Sequence, residues 1–134
     1  MKVVDASVIA KFILKEENWE SLISVLKGSS TLELAINEST NAIWKAFYRG
    51  LISEKDATEK LRALILLKES IEVRKSLNFL EDGLRISIKH KIPIPIYDSL
   101  YIAFALKEGK ELCTCDNIQY KVSLKEGVKC IRLD

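Results

Sequence analysis

Short apolar runs alternate along the chain with longer stretches in which apolar residues recur every three or four positions. The short runs predict strands, and the periodic stretches predict amphipathic helices. Strands are predicted at residues 2–5, 31–36, 111–115 and 129–133, while residues 71–74 form either a further strand or an extended link. Helices are predicted at residues 6–14, 18–27, 38–50, 53–68 and 118–125, in a stretch marked by Leu77, Leu80, Leu84 and Ile88, and from Asp98 to Gly109.

Strands that alternate with helices indicate a mostly parallel sheet with helices covering both faces. We therefore expect an α/β fold with three layers, α/β/α, around a central sheet of four to five short strands. The chain has 134 residues, and its pattern contains neither a repeat nor a linker. A single domain spanning residues 1–134 is the expectation.

The composition indicates a folded protein that does not enter a membrane. Hydrophobic residues make up 48% of the chain, which argues against disorder. The longest apolar runs, such as residues 63–67, are too short to cross a bilayer. The chain enters a strand pattern almost at once, so we expect no signal peptide and a cytoplasmic location.

The charge is nearly balanced. Lys and Arg number 21 against 19 Asp and Glu, for a net charge of +2. This balance argues against binding nucleic acid by bulk charge, so any such contact must be local. Lys45 and Arg49 are one helical turn apart and could contact phosphates, although a solvated helix face is the simpler interpretation. Lys11 and Lys15 allow the same two interpretations.

The cysteines and the single histidine do not suggest a metal site. Three cysteines, Cys113, Cys115 and Cys130, accompany one histidine, His90, so a zinc site would lack ligands. We expect the thiols to be buried as small hydrophobic groups. His90 stands between two lysines, and we expect it to be a solvated surface side chain.

Four acids carry most of the functional information: Asp5, Glu38, Asp98 and Asp116. Each stands where a predicted strand ends or a predicted helix begins, so each one alone could be a helix cap or a first-turn acid. Together they would meet at the carboxyl edge of the sheet, where ligands bind in open α/β folds. Clustered carboxylates raise one another's pKa unless a cation joins them. Mg²⁺ or Mn²⁺ suits such an oxygen-rich site.

Four segments resemble the motifs of PIN-domain nucleases. They are residues 4–8 (VDASV), 37–42 (NESTNA), 97–105 (YDSLYIAFA) and 112–116 (LCTCD). Their order and approximate spacing match over nearly the whole chain, and the third motif is the most specific. The chain length and the residues of the third motif resemble those of the VapC-type toxins of toxin–antitoxin pairs.

The resemblance implies a PIN-like domain that works as a metal-dependent endoribonuclease with Mg²⁺ or Mn²⁺. Asp5 and Asp98 match the most secure metal ligands, and Glu38 and Asp116 would complete the acidic, catalytic set. The same comparison implies that Ser7 and Thr114 lend hydrogen-bonding support and that Asn41 orients Glu38. Some family members carry a further acid after the fourth motif. Residues 117–119 offer none here, which leaves the occupancy of a second metal open.

The resemblance also implies partners and products. The substrate would be RNA, and a cation would activate water for attack on the phosphodiester. No histidine lies in the four motifs, so we expect 5′-phosphate and 3′-hydroxyl ends rather than a route through the ribose 2′-hydroxyl. A cognate antitoxin and a homodimer are the implied protein partners.

Large apolar residues on predicted helices bear on those partners. Core packing is the first explanation for Trp19, Trp44, Phe47 and Tyr48. An antitoxin groove or a dimer interface is the second. The helix that contains residues 64–67 (LILL) is the better interface candidate, because a helix that is apolar nearly all round must be buried by something.

Two other functions stay open. A phospho-acceptor receiver domain is also doubly wound and binds Mg²⁺, but it needs paired acids near the first strand and a lysine near the last. This chain has only Asp5 in its first strand and no obvious lysine in that place. A catalytically silent PIN-fold protein that binds RNA or a partner would keep the same four acids, so only an activity measurement separates it from a nuclease.

Overall fold

The computed structural model describes residues 1–91 and 93–134, and within them five short parallel strands form one sheet. The strands are β1 (Lys2–Val4), β2 (Ser30–Leu32), β3 (Glu72–Arg74), β4 (Glu111–Thr114) and β5 (Cys130–Arg132). Their order is β3-β2-β1-β4-β5, and every neighbouring pair is parallel. The segment predicted as a strand or a link is therefore a strand, β3, at one edge of the sheet.

Helices lie on both sides of this sheet. They are α1 (Ala6–Ile13), α2 (Ile23–Leu26), α3 (Leu34–Tyr48), α4 (Glu54–Leu67), α5 (Leu80–His90), α6 (Ile96–Glu108) and α7 (Asn117–Lys125), with 3₁₀ turns at Trp19–Leu22 and Ser76–Phe79. The helices α1, α3 and α4 pack together, and α6 packs against α5 and α7. Both α1 and α6 contact β1 and β4. The expected three-layer α/β/α fold is confirmed.

Polar caps fix several helix ends where the sequence predicts them. The side chains of Asp5, Ser53 and Asp116 accept hydrogen bonds from backbone N–H groups in the first turns of α1, α4 and α7. Such caps satisfy donors that have no partner inside the helix. Gly109 ends α6 with φ +65°, a left-handed conformation that favours glycine.

Two boundaries differ from the prediction in ways that affect the acids. Strand β2 ends at Leu32 and α3 begins at Leu34, so the predicted strand at residues 31–36 is too long. A short apolar run suits a buried helix as well as a strand, and Ala35 is fully buried as part of α3. Helix α6 begins at Ile96 after Pro95, so Asp98 is a first-turn residue and not the expected N-cap. Because α3 begins at Leu34, Glu38 lies in the second turn of this helix and is not the expected first-turn acid.

The predicted fifth helix exists, but the leucines that mark it face outward. The side of α5 that packs inward carries Gly83 and Ile86, both buried. Gly83 allows α5 to approach α6 closely, because a Cβ at this position would lie 2.8 Å from Leu100 Cδ2. The outward side carries Leu80, at 44% exposure, and Leu84, at 55%. The sequence period is thus correct, while the face that it marks is a surface.

The core forms between the sheet and its helices. Phe79 and Phe104 stack with their ring centroids 4.9 Å apart. Cys113 and Cys130 are buried free thiols, as expected, and Cys115 is half-buried. No helix in the described part of the chain is long and apolar enough to span a membrane.

The expectation of a solvated His90 is wrong. Its side chain is only 10% exposed, and its Nε2 atom lies 2.5 Å from Oε2 of Glu126. Lys89 pairs with the same carboxylate at 3.2 Å. These contacts join the end of α5 to the end of α7, and no local pattern indicates them, because Glu126 is 36 residues from His90.

Candidate active site

Asp5 is the most deeply placed acid. It follows β1 directly, caps α1 and is 3% exposed. Its Oδ1 atom accepts hydrogen bonds from Ser7 Oγ at 2.5 Å and from Val8 N at 3.3 Å, and its Oδ2 atom accepts one from Thr114 Oγ1 at 2.5 Å. Burial raises the pKa of Asp5, and the hydrogen bonds from Ser7 and Thr114 oppose the rise only in part. The structure thus brings both predicted supporting residues to this carboxylate.

The same two hydroxyls anchor the segment that carries Asp116. Ser7 Oγ accepts a hydrogen bond from Cys115 N at 2.9 Å, and Thr114 Oγ1 accepts one from Asp116 N at 3.0 Å. The segment follows β4, which pairs with β1 in parallel through Val4 and Cys113. Asp116 Oδ1 accepts a hydrogen bond from Gln119 N at 2.7 Å, so Asp116 also caps α7.

Asp98 enters the cluster from the first turn of α6. Its backbone oxygen accepts a hydrogen bond from the side-chain amide of the buried Gln119 at 3.1 Å, which ties α6 to α7. The pKa of Asp98 rises to about 7, first because burial removes water from its carboxylate. The negative charges of Asp116, Asp5 and Glu38 raise it further. All four predicted acids therefore lie close enough to affect one carboxylate.

Glu38 approaches from α3 and keeps part of its side chain in solvent. Its Oε1 atom accepts a hydrogen bond from the Tyr101 hydroxyl at 3.1 Å. Partial burial raises the pKa of Glu38, the hydrogen bond from Tyr101 lowers it, and the charge of Asp5 raises it again, with a net rise.

Sequence reasoning missed Tyr101 and Gln119 as parts of the site. It assigned the orientation of Glu38 to Asn41, but Asn41 is exposed, and no hydrogen bond among the described residues joins its side chain to Glu38. The spacing gave one usable signal, because Tyr101 follows Asp98 by three positions and so shares its helix face. For Gln119 the signal was its position three residues after a helix-capping aspartate.

The donor atoms at this site suit a hard divalent cation. Within residues 1–91 and 93–134, no Lys, Arg or His side chain lies within ion-pair distance of the four acids. Nor do three Asp, Glu, His or Cys side chains in this part of the chain stand close enough to be direct ligands of one ion. Mg²⁺ is commonly held by one or two carboxylates and keeps several waters. The arrangement fits that kind of binding better than a closed cage of protein ligands.

Four acids gather beyond the carboxyl edge of a parallel α/β sheet. This combination of fold and site is typical of nuclease domains with an acidic active site. Residues 2–125 match the PIN domain, and the chain belongs to the PIN-domain family. It is 35% identical to Ribonuclease VapC3 of Pyrobaculum aerophilum over 117 residues, which are 85% of this chain and 88% of that protein. The family that the four sequence motifs suggested is thereby confirmed.

Solved structures agree on the fold. The crystal structure of PAE2754 from Pyrobaculum aerophilum superposes with a TM-score of 0.71 at 24% identity, covering 96% of this chain and 89% of that one. VapC20 of Mycobacterium tuberculosis, described as a sarcin-ricin loop cleaving toxin, superposes with a TM-score of 0.69 at 16% identity, covering 99% and 100%. At these identities the likeness supports the PIN fold alone.

Proposed function

We propose that the protein is a metal-dependent endoribonuclease and the toxin of a toxin–antitoxin pair. One observation carries the proposal: the charges of three other acids help to raise the pKa of Asp98 to about 7, and no basic side chain of residues 1–91 and 93–134 forms an ion pair with any of the four. Strongly perturbed pKa values cluster at functional sites. The 35% identity to a protein named as a ribonuclease supports RNA as the substrate. In this proposal residues 1–134 act as one nuclease domain in the cytoplasm.

The four acids together bind Mg²⁺ or Mn²⁺, with unequal contributions. Asp5 and Asp98 are the main ligands, and Glu38 and Asp116 complete the acidic set through coordinated water. A cation bound there lowers the pKa of a coordinated water and stabilises charge on the phosphate oxygens. Ser7 and Thr114 keep both oxygens of Asp5 in place through their hydrogen bonds. Attack by water, which breaks the bond from phosphorus to the 3′ oxygen, leaves 5′-phosphate and 3′-hydroxyl ends.

The test is RNA cleavage by wild type and by Asp5→Asn. Structured and single-stranded RNAs are incubated with Mg²⁺, Mn²⁺ or EDTA, and the end groups are mapped. We expect metal-dependent cuts with 5′-phosphate ends, and a rate at least about 100-fold lower for Asp5→Asn, since preorganised groups at a reacting centre contribute that much. Asp56→Asn, an exposed change of the same kind on α4, is the matched control. Equal cleavage in EDTA would contradict the proposal, and inactivity of wild type on every RNA would favour a binding-only PIN protein.

An apolar groove between α3 and α4 is the proposed seat of the antitoxin. Its volume is about 290 Å³, and its lining includes Ile43, Trp44, Phe47 and Leu61. Trp44 is 55% exposed and lies 6.0 Å from Phe47, measured between ring centroids. The core-packing explanation is therefore wrong for Trp44, and also for Tyr48, which is 77% exposed. An apolar groove of this kind fits the apolar face of a helical or extended partner segment.

A second apolar surface, on α5, is the proposed homodimer face. It consists of Leu80, Leu84 and Ile88 on α5 together with Leu77 in the 3₁₀ turn before it, all exposed. The α4 helix, which the sequence favoured as an interface, is the weaker candidate. Leu64 of α4 is completely buried in the domain core. Within residues 64–67, the exposed apolar side chains are therefore Ile65 and Leu66. Contiguous exposed apolar patches commonly mark protein interaction sites.

Two charge substitutions test these surfaces, and each serves as the control for the other. We expect Leu84→Glu to shift the protein from dimer to monomer, because it places a charge in an apolar interface. Trp44→Glu should stay dimeric but resist inhibition by the co-expressed antitoxin. Light scattering after size exclusion gives the mass, and RNA cleavage with and without antitoxin gives the inhibition. A dimer that persists in Leu84→Glu, or full inhibition of Trp44→Glu, would overturn the corresponding assignment.

A further inference from the structure

Tyr101 is a buried tyrosine that links two of the helices that carry the acids, α6 and α3. It is 1% exposed, and its hydroxyl lies 3.1 Å from Oε1 of Glu38. Asp98 precedes it by three positions on α6, so one helix presents both the acid and the phenol on the same face. The hydrogen bond spans 63 positions of sequence and joins α6 to α3. A buried tyrosine hydroxyl normally requires a polar partner, and here that partner is a carboxylate of the site.

The four acids are not held equally well. Asp5 receives three hydrogen bonds, two of them from hydroxyl groups, and Asp116 receives one from a backbone N–H group. Glu38 has a longer and more flexible side chain, and among the described residues its hydrogen-bond donor is Tyr101 alone. A glutamate that is partly exposed and free of contacts would sample several rotamers, and ordering it on ligand binding would reduce affinity.

We propose that Tyr101 is a positioning residue, which fixes the Glu38 carboxylate so that it can take part in binding the divalent cation. The proposal rests on the nuclease function proposed above. Through one hydrogen bond to Oε1, Tyr101 orients the carboxylate, while Oε2 accepts no hydrogen bond from the described residues. It does for Glu38 what Ser7 and Thr114 do for Asp5. Groups that orient metal ligands in this way typically change metal affinity by about 10-fold to 100-fold when they are removed.

The test compares Tyr101→Phe with Tyr120→Phe. Both changes remove one phenol oxygen from a tyrosine that is at least partly buried, but Tyr120 lies on α7 and has no side-chain hydrogen bond among the described residues. Calorimetric titration with Mn²⁺ in the absence of RNA measures affinity. We expect the dissociation constant to rise about 10-fold in Tyr101→Phe and to stay unchanged in Tyr120→Phe. Saturating Mn²⁺ should then restore most of the cleavage rate of Tyr101→Phe.

A double-mutant cycle separates positioning from packing. In a Glu38→Gln background, Tyr101→Phe should weaken Mn²⁺ binding no further, since the carboxylate that it orients is already gone. An equal loss in both backgrounds would assign Tyr101 a general structural role and overturn the proposal. Unchanged affinity in Tyr101→Phe, with wild type binding Mn²⁺ normally, would overturn it while leaving the metal-dependent nuclease intact. Absence of Mn²⁺ binding in wild type would instead remove the metal site itself, and the role of Tyr101 with it.

Discussion

Replacing Asp98 with Asn is expected to abolish RNA cleavage and, at the same time, to stabilise the metal-free protein. Asp98 is half-buried, and the charges of Asp116, Asp5 and Glu38 contribute to raising its pKa to about 7. Above that pH Asp98 is ionised, and its buried, repelled charge then reduces the stability of the folded state. Asn has nearly the same shape as Asp and no charge. The substitution therefore removes the repulsion from the other three acids and, with it, the carboxylate that cleavage requires. Residues under such functional strain often yield stability when replaced.

The expected gain is about 1 to 2 kcal/mol in the free energy of unfolding above neutral pH, less than the full pKa shift implies, because part of the side chain is solvated. Cleavage should fall by at least about 100-fold. Denaturant unfolding in EDTA measures the stability, and the RNA that wild type cuts serves for the activity. Asp134→Asn, at the exposed end of the chain, is the control. A less stable Asp98→Asn in metal-free buffer would contradict the view that the four acids repel one another.

The sequence could predict the acids from local pattern and topology, and the resemblance to PIN-domain nucleases added Ser7 and Thr114 as their support. Asp5 and Asp116 follow β1 and β4, which are neighbours in a parallel sheet, and residues beyond the carboxyl ends of such strands meet. Ser7 and Thr114 lie within two positions of these acids, so chain geometry alone brings them near. The alternation of strands and helices fixed the layers for the same reason.

Long-range contacts could not be predicted in this way. The partner of Glu38 is Tyr101 on another helix. The spacing from Asp98 indicates that Tyr101 shares the face of the acid, but no local pattern indicates that it contacts Glu38. The contact of His90 was missed for the same reason, since its carboxylate partner, Glu126, lies at the end of a different helix, α7. Such contacts depend on where helices that are distant in sequence lie in the fold, which a single sequence does not encode locally.

Helix faces pose a related difficulty. Periodicity marks which residues share a face, but not whether another element covers it. In α5 both faces carry apolar residues, and the close approach of Gly83 to Leu100 decides that Ile86 turns inward. Leu80 and Leu84 are then left exposed. A glycine in mid-helix was the one signal in the sequence for that choice, because it permits tight packing where a larger side chain would clash.

The second large effect is expected from pH and metal together. Without metal, wild type should lose stability as the pH rises from about 4, the ordinary pKa of a carboxyl group, to about 7, the pKa of folded Asp98. Across that window the native state binds more protons than the unfolded state, so the free energy of unfolding falls with rising pH. The pKa values of Asp5 and Glu38 are also raised, which adds a change of the same sign.

Mn²⁺ should reverse this loss where the carboxylates are ionised. A ligand that binds only the native state adds about 2.7 kcal/mol at 100 times its dissociation constant. The melting temperature of wild type should therefore rise with Mn²⁺ strongly above neutral pH and weakly near pH 5, where protons compete for the same oxygens. Asp98→Asn should show a flatter pH profile in EDTA and a smaller Mn²⁺ shift. If Mn²⁺ leaves the melting temperature of wild type unchanged across this range, the acids do not form a cation site. If metal-free stability instead rises with pH, the pKa values of these acids are not raised in the folded state.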